Sequence, residues 1–313
     1  MGKGRTLAGV GTMLTAATSN QVGAAVGAHA FGTIGPAGVV VVRQFVALAV
    51  LLPVARPNLR RFTWAQWWPS IVLGVVVASM NLSLYVSIDR VGLGTAITLE
   101  FLGPLAVALA SSRTRVDLAC AVGACAGVYV LVLPEPSSDF FGLAMGVLAA
   151  ACWAAYIVLN RVLGARLPGL QATATATMVS ALIYLPVAVI LIADGTLRSA
   201  GIGYAVFAGI FCSVIPFSAD LIALRWVPPQ FFGVFMSVHP VLGALAGLVI
   251  LGQVLGLHAW AGIAIVVATN VVALLAAGRR RENTGTRVRS RRAAADDATR
   301  PTARAAPSPG AAA

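Results

Sequence analysis

The chain has 313 residues, of which 59% are hydrophobic and only 10% charged, and its formal net charge is +12. Soluble domains carry about 25% charged residues, so the composition excludes a soluble enzyme and a disordered protein, and a mean hydropathy of +0.89 places most of the chain in lipid. The positive charge does not point to nucleic acid. Nine arginines sit in residues 279–313, an Arg-, Ala- and Pro-rich tail too poor in large apolar residues to bury a core, which reads as disordered.

A spanning helix needs about 20 mostly apolar residues. Ten such stretches follow one another at roughly 7–28, 36–55, 69–88, 92–111, 116–134, 141–160, 171–193, 201–222, 230–252 and 258–278. Gly, Pro or charge punctuates the links: Gly35-Pro36, Arg56-Pro57, Asp89-Arg90, Ser112-Arg113, Pro134-Glu135-Pro136, Arg161, Asp194-Gly195, Pro228-Pro229 and Gly256. The first stretch resembles a signal peptide, with Lys3 and Arg5 ahead of an apolar run. Thr18-Ser19-Asn20-Gln21 interrupts that run, so it reads as an uncleaved helix. Cys120, Cys125, Cys152 and Cys212 all lie in apolar stretches and read as small buried hydrophobes. His29, His239 and His258 lack ligand spacing, so no metal site and no cofactor are expected.

Basic residues in the short links set orientation. With the N-terminus in the cytoplasm, the inner side receives Lys3, Arg5, Arg56, Arg60, Arg61, Arg113, Arg115, Arg161, Arg166 and Arg225, and the outer side only Arg90 and Arg198. Both termini are therefore expected in the cytoplasm, in a bacterial plasma (inner) membrane protein of many passes.

Val91–Ala110 aligns without gaps on Val227–Ala246, with coincidences at Val91/Val227, Pro104/Pro240, Ala108/Ala244, Leu109/Leu245 and Ala110/Ala246. The offset equals five expected spans, and an odd number of spans inserts the two copies in opposite directions, an arrangement common among transporters. The expected fold is thus an all-α membrane protein of ten transmembrane helices as two inverted five-helix repeats. Residues 1–6 form a cytoplasmic N-terminus, 7–134 the first repeat, 141–278 the second, and 279–313 the tail.

An Arg early in the second span (VVVRQFVALAV), the sixth-span run ACWAAYIVLNR and the ninth-span run SVHPVLGALAGLVILGQ resemble the EamA-type drug/metabolite transporters. The run NLSLYVSIDRVGLGTAITLEFLGPLAVALASSR is similar to the threonine/homoserine exporter branch of that superfamily. The resemblance covers residues 7–278. It implies export of small metabolites, with amino acids such as threonine or homoserine foremost, by alternating access. The family often has Glu before the ninth-helix Pro and often ends that helix Leu-Gly-Glu; here His239 and Gln253 stand instead.

Ionisable groups deep in a bilayer are costly and need a partner or water. At about 1.5 Å per residue, Arg43, Glu100, Asn81 and Asn20 all lie roughly 10–15 Å below one face of a core about 30 Å thick. Four polar groups at one depth suggest a shared wet cavity. Arg43 and Glu100 read either as a buried ion pair or as the carboxylate and ammonium contacts of a zwitterion, and Glu100 also reads as a proton carrier. Trp153, Tyr156 and Asn160 share one helix face, and Tyr85 shares the face of Asn81, so Tyr85, Trp153 and Tyr156 suit either helix packing or the wall of a small-solute site. Asp220 reads as a helix-end partner of Arg225 or a cytoplasmic gate, and His239 as a structural histidine or a group that couples protons. Pro104 and Pro240 break the helical ladder at equivalent places and read as kinks or hinges. Gly23/Gly27, Gly123/Gly127, Gly142/Gly146 and Gly243/Gly247 have the spacing of close helix contacts.

No nucleotide-binding motif is present, so an ion gradient, with H+ as the natural coupling ion, is the expected energy source. The expected partners are a small-molecule substrate (an amino acid or related metabolite), the coupling ion and the lipid bilayer, with no nucleic acid; a homodimer stays open. The rival readings are efflux of drugs or other metabolites on the same fold, a receptor or channel and, more distantly, a membrane-embedded enzyme.

Overall fold

The computed structural model describes residues 3–110, 115–131, 139–167, 170–196, 201–216, 236–273 and 275–276. The expected span ends at 111, 134, 222, 230 and 278, the residues Arg113, Arg198, Asp220 and Arg225, and the tail lie outside the described residues. Among the described residues there is helix and no strand.

The helices are α1 (Lys3–Ala28), α2 (Phe31–Ala55), α3 (Trp64–Val91), α4 (Leu93–Glu100), α5 (Leu102–Ala110), α6 (Arg115–Leu131), α7 (Phe140–Gly164), α8 (Gln171–Ala193), α9 (Gly201–Gly209, continuing into a π-helical turn Ile210–Val214), α10 (His239–Leu251) and α11 (Leu257–Ala273). Four of them, α2, α3, α7 and α8, are long and apolar enough to cross a bilayer. Among the described residues the others include shorter apolar helices, at 93–107, 118–131, 201–214, 239–251 and 257–273.

Local chemistry sets the ends. Arg56, at φ 42°, closes α2 by donating its N–H to Leu52 O at 3.0 Å, and Pro57 prevents continuation. The Gln66 side chain turns back to accept the Thr63 N–H at 3.0 Å, starting α3. Gly92, at φ 82°, separates α3 from α4. Asp139 caps α7 through Gly142 N–H at 2.9 Å.

The fourth span breaks at Phe101. Pro104 has no N–H to give the Glu100 carbonyl, so the ladder is cut between α4 and α5. A turn at Ser237–Val238 stands in the same relation to Pro240 at the start of α10. The aligned prolines therefore sit just after equivalent helix interruptions.

The packing is tight and backbone-close. α3 lies along α7 and α8, α2 against α8 and α9, α1 against α9 and α10, and α4 against α7 and α10. A methyl placed on Gly23 would meet Cys212, and one on Gly27 would meet Ala208, so this glycine pair is what lets α1 approach α9. Across α4 and α10, Gly92 faces Gln253, Gly94 faces Ala244 and Ile97 faces Gly243, so the two helices run antiparallel. Buried hydroxyls return to their own helix: Ser70 to Gln66 O at 2.8 Å, Thr98 to Gly94 O at 2.7 Å and Thr269 to Ile265 O at 2.7 Å. Such self-satisfaction is what a lipid surround demands of polar atoms. Val249, Val254, Leu257, Tyr129 and Ile192 are exposed, as a lipid-facing surface requires.

The cysteines differ from expectation. Cys120 and Cys212 are buried, but Cys125 is exposed and Cys152 only half-buried. An apolar stretch in lipid has an outward face, so hydrophobicity of the segment does not bury each member.

Candidate functional site

Five elements enclose a cavity of about 110 Å3. α2 lends Arg43, Gln44 and Ala47; α3 lends Leu73, Val77, Met80 and Asn81; α7 lends Tyr156; α8 lends Thr173, Ala176 and Thr177; the π-helical turn lends Cys212 and Ser213. α2, α3 and α8 each present positions three or four apart, one face of a 3.6-residue period. Leu73 to Asn81 is eight residues of α3, about 12 Å of axis. The wall runs from Ala47, Leu73 and Thr173, near the end where α3 begins, to Arg43, Asn81 and Cys212 farther in.

Arg43 is the cation on this wall. Its guanidinium lies over the Tyr85 ring, 5.4 Å from the centroid. Tyr85 is fully buried, and its hydroxyl stands 3.9 Å from Cys212 Sγ. Cys212 Sγ donates in turn to the Asn20 carbonyl at 3.2 Å. Ser19 Oγ donates to Phe211 O at 2.8 Å, giving the widened turn a partner on α1. α1, α2, α3 and the π-helical turn are thus tied together behind Arg43. A guanidinium fixed by stacking keeps its remaining N–H groups in a fork suited to a carboxylate.

A second polar group lies away from this wall. Gln21 Nε2 and His239 Nδ1 are 3.1 Å apart, joining α1 to α10. The His239 ring stacks on Phe101 at 5.3 Å, and Phe101 meets Trp153 edge-on at 4.5 Å. Among the described residues, Gln21 Oε1 and His239 Nε2 are buried with no hydrogen-bond partner. Gln253 acts locally, its Oε1 accepting the Leu93 N–H at 2.9 Å and so capping the start of α4.

The structure brings Arg43, Asn81 and Tyr156 to one cavity and leaves the other expected site residues off its wall. Tyr85 lies beneath Arg43. Asn20 supplies a backbone carbonyl to the same group. Trp153 packs on Phe101. Glu100 is buried at the end of α4, within electrostatic reach of Arg43 but not in contact with it. Among the described residues the one ion pair within 4 Å is Arg90–Asp139, at 3.0 Å. The direct Arg43–Glu100 ion pair, one of the readings offered above, is therefore not formed: among the described residues the two side chains come no closer than 4 Å. Asp220 lies outside the described residues. Gln44, Thr173, Thr177, Cys212 and Ser213 escaped the sequence reading. Thr173 and Thr177 had a usable signal in their four-residue spacing; the π-helical turn had none.

A model described as the EamA-like transporter family matches residues 140–275. Threonine/homoserine exporter RhtA of Salmonella typhimurium is 34% identical over 261 residues, covering 82% of this chain and 88% of the relative. The protein of the same name from Escherichia coli strain K12 is 35% identical over 246 residues, covering 78% and 83%. A solved crystal structure superposes with a TM-score of 0.57 at 21% identity, covering 86% of this chain and 98% of its own, and so shares the fold.

Proposed function

Since the chain belongs to the EamA-like transporter family and is a multi-pass membrane protein, we propose that it exports small hydroxyl-bearing amino acids of the threonine/homoserine kind. Transport runs by alternating access between two inverted five-helix repeats, 7–134 and 141–278. Both termini lie in the cytoplasm of a bacterial inner membrane, and protons returning inward drive export.

The observation that carries this reading is Arg43 on the wall of a small cavity whose lining mixes apolar side chains with several neutral polar ones. Its fork takes the substrate carboxylate. Gln44, Asn81, Thr173, Thr177 and Ser213 offer neutral donors and acceptors to the hydroxyl and ammonium groups. A cavity of about 110 Å3 falls well below the about 300–1,000 Å3 typical of sites for drug-sized ligands, which supports a metabolite over a lipophilic drug. The relatives that cover most of the chain carry the name of a threonine/homoserine exporter.

The antiparallel packing of α4 on α10, and the equivalent interruptions ahead of Pro104 and Pro240, support two oppositely inserted halves hinged at those breaks. Glu100 ends α4 at one break, and His239 begins α10 at the other and stacks on the residue after Glu100. These are the two groups that take and release the coupling proton.

The test uses proteoliposomes loaded with labelled threonine under an imposed pH gradient. The parent protein gives gradient-stimulated efflux. Glu100→Gln keeps threonine exchange and loses the gradient's effect. Efflux indifferent to both threonine and homoserine overturns the substrate assignment, and gradient stimulation that survives Glu100→Gln overturns the coupling role.

A further inference from the structure

The end of the molecule where α2 stops and α3 starts carries a surface with no part in the transport reading. Arg56, Arg60, Arg61, Arg161 and Arg166 are all exposed there. The stretches 56–70 and 157–171 contain no Asp or Glu, and among the described residues no carboxylate approaches these arginines within 4 Å. The opposite end differs, because there Arg90 is paired with Asp139.

The five arginines come from the link between α2 and α3 and from the last turn of α7 with the link that follows it, which the fold brings together. Arg166 donates to the Ala65 carbonyl, and Gln66 Nε2 donates back to Arg166 O at 3.3 Å. Phe62, next to Arg61, packs against the Leu163–Leu167 cluster at the end of α7. The charge is therefore held on one platform.

Below the platform runs an apolar stripe. Trp64, Trp68, Ile71, Val72 and Val75 of α3 are 73%, 39%, 39%, 41% and 46% exposed and recur at helical spacing on one face. The Arg166 guanidinium lies over the Trp68 ring at 5.5 Å, at the top of that stripe. Exposed tryptophans beside arginines mark the level of the headgroups. An amphiphile whose anion meets the arginines and whose chains follow the stripe matches both parts at once.

We propose that this surface is a binding site for an anionic phospholipid, with the phosphodiester on Arg60, Arg61, Arg161 and Arg166 and the acyl chains along the Trp64–Val75 stripe. Each arginine near a charged headgroup is worth roughly fivefold in partition. Salt weakens the selection, because these side chains are solvent-accessible. The assignment requires only that the chain span a bilayer, and it stands or falls apart from the identity of the transported solute.

The test is lipid retention by the full chain. The purified protein is equilibrated with mixed micelles of phosphatidylglycerol and phosphatidylcholine, and bound lipid is counted by native mass spectrometry. Phosphatidylglycerol is expected to be retained about tenfold over phosphatidylcholine. Arg60→Gln/Arg61→Gln/Arg161→Gln removes that preference, while Arg287→Gln/Arg289→Gln/Arg291→Gln, an equal loss of charge in the tail, keeps it. Quenching of tryptophan fluorescence by brominated phosphatidylglycerol, stronger than by brominated phosphatidylcholine in the parent protein, checks the stripe with no variant at all. Equal retention of the two lipids, or a preference that survives the platform variant, overturns the site. Displacement of the lipid by millimolar inorganic phosphate also overturns it, because the surface would then read a free anion rather than an amphiphile.

Discussion

Two polar clusters lie inside this helix bundle, and they are built on opposite plans. Around Arg43 the groups are linked in series: guanidinium, Tyr85, Cys212 and the Asn20 carbonyl, with one flank facing a cavity. Around His239 the groups are sealed. Gln21 and His239 satisfy each other once, and aromatic rings pack beside them, leaving two polar atoms without partners among the described residues. A polar atom buried without a partner costs about 1–3 kcal/mol, so the second cluster is maintained against its own instability. A cavity-facing cluster can exchange its partners for water or solute; a sealed one changes partners only when its helices move.

The sharpest way to break this contrast is Arg43→Ala. It removes the forked contact, worth roughly 3 kcal/mol or about a hundredfold in efflux, and leaves insertion and folding intact, as judged by gel filtration and labelled-threonine efflux. Arg43→Lys keeps the charge without the fork and recovers only part of the activity. Normal efflux from Arg43→Ala would remove this residue from the site.

The sealed cluster predicts a different pattern. Gln21→Leu strands the second nitrogen of His239 and lowers stability by about 1–3 kcal/mol. The double variant Gln21→Leu/His239→Phe, with both polar partners gone, returns most of that loss in thermal unfolding. A double variant as unstable as the single one would mean that the pair has polar neighbours beyond each other.

A smaller effect is expected at the other end of α4. Gln253→Ala strips the Leu93 N–H of its acceptor and costs about 1 kcal/mol. Gln253→Glu keeps the acceptor and adds negative charge at a helix N-terminus, so it should be neutral or stabilising. The pair of variants, compared in thermal unfolding and in efflux, separates a capping role from a transport role.

The smallest effect belongs to Asp139. The Gly142 backbone N–H and the Arg90 guanidinium hold its carboxyl below the usual carboxylate value. A lowered folded value means the contribution is complete above the unfolded value of about 3.9 and disappears as pH falls through the folded one. Asp139→Asn should therefore unfold like the parent at low pH and slightly earlier at neutral pH. A difference that grows on acidification would contradict the sign.

Much of this fold is legible in the sequence because a bilayer imposes one length and one polarity on every crossing segment. The runs at 36–55, 141–160 and 171–193 needed no more than that, and Gly23/Gly27 marked a true close contact. Proline chemistry located the interruptions only approximately, since the missing N–H of Pro104 acts on a carbonyl four residues earlier. Counting from a helix end gives depth along the axis, and Arg43 and Asn81, counted to one level, do line one cavity. It does not give direction around the helix, and Glu100 is off the wall for that reason. Cys212 and Ser213 were beyond reach, because nothing in the run Ile210–Val214 breaks an α-helix.

That π-helical stretch has a consequence of its own. It holds one residue more than an ordinary turn would. Deleting that residue lets the segment settle into α-helical winding, while the residues beyond it keep nearly the same facing. The thiol and hydroxyl that the wider turn presents to the cavity would be re-aimed with the composition otherwise unchanged. What the pocket recognises is thus set partly by arithmetic along the backbone, and a deletion of one codon could redraw it where many substitutions would not.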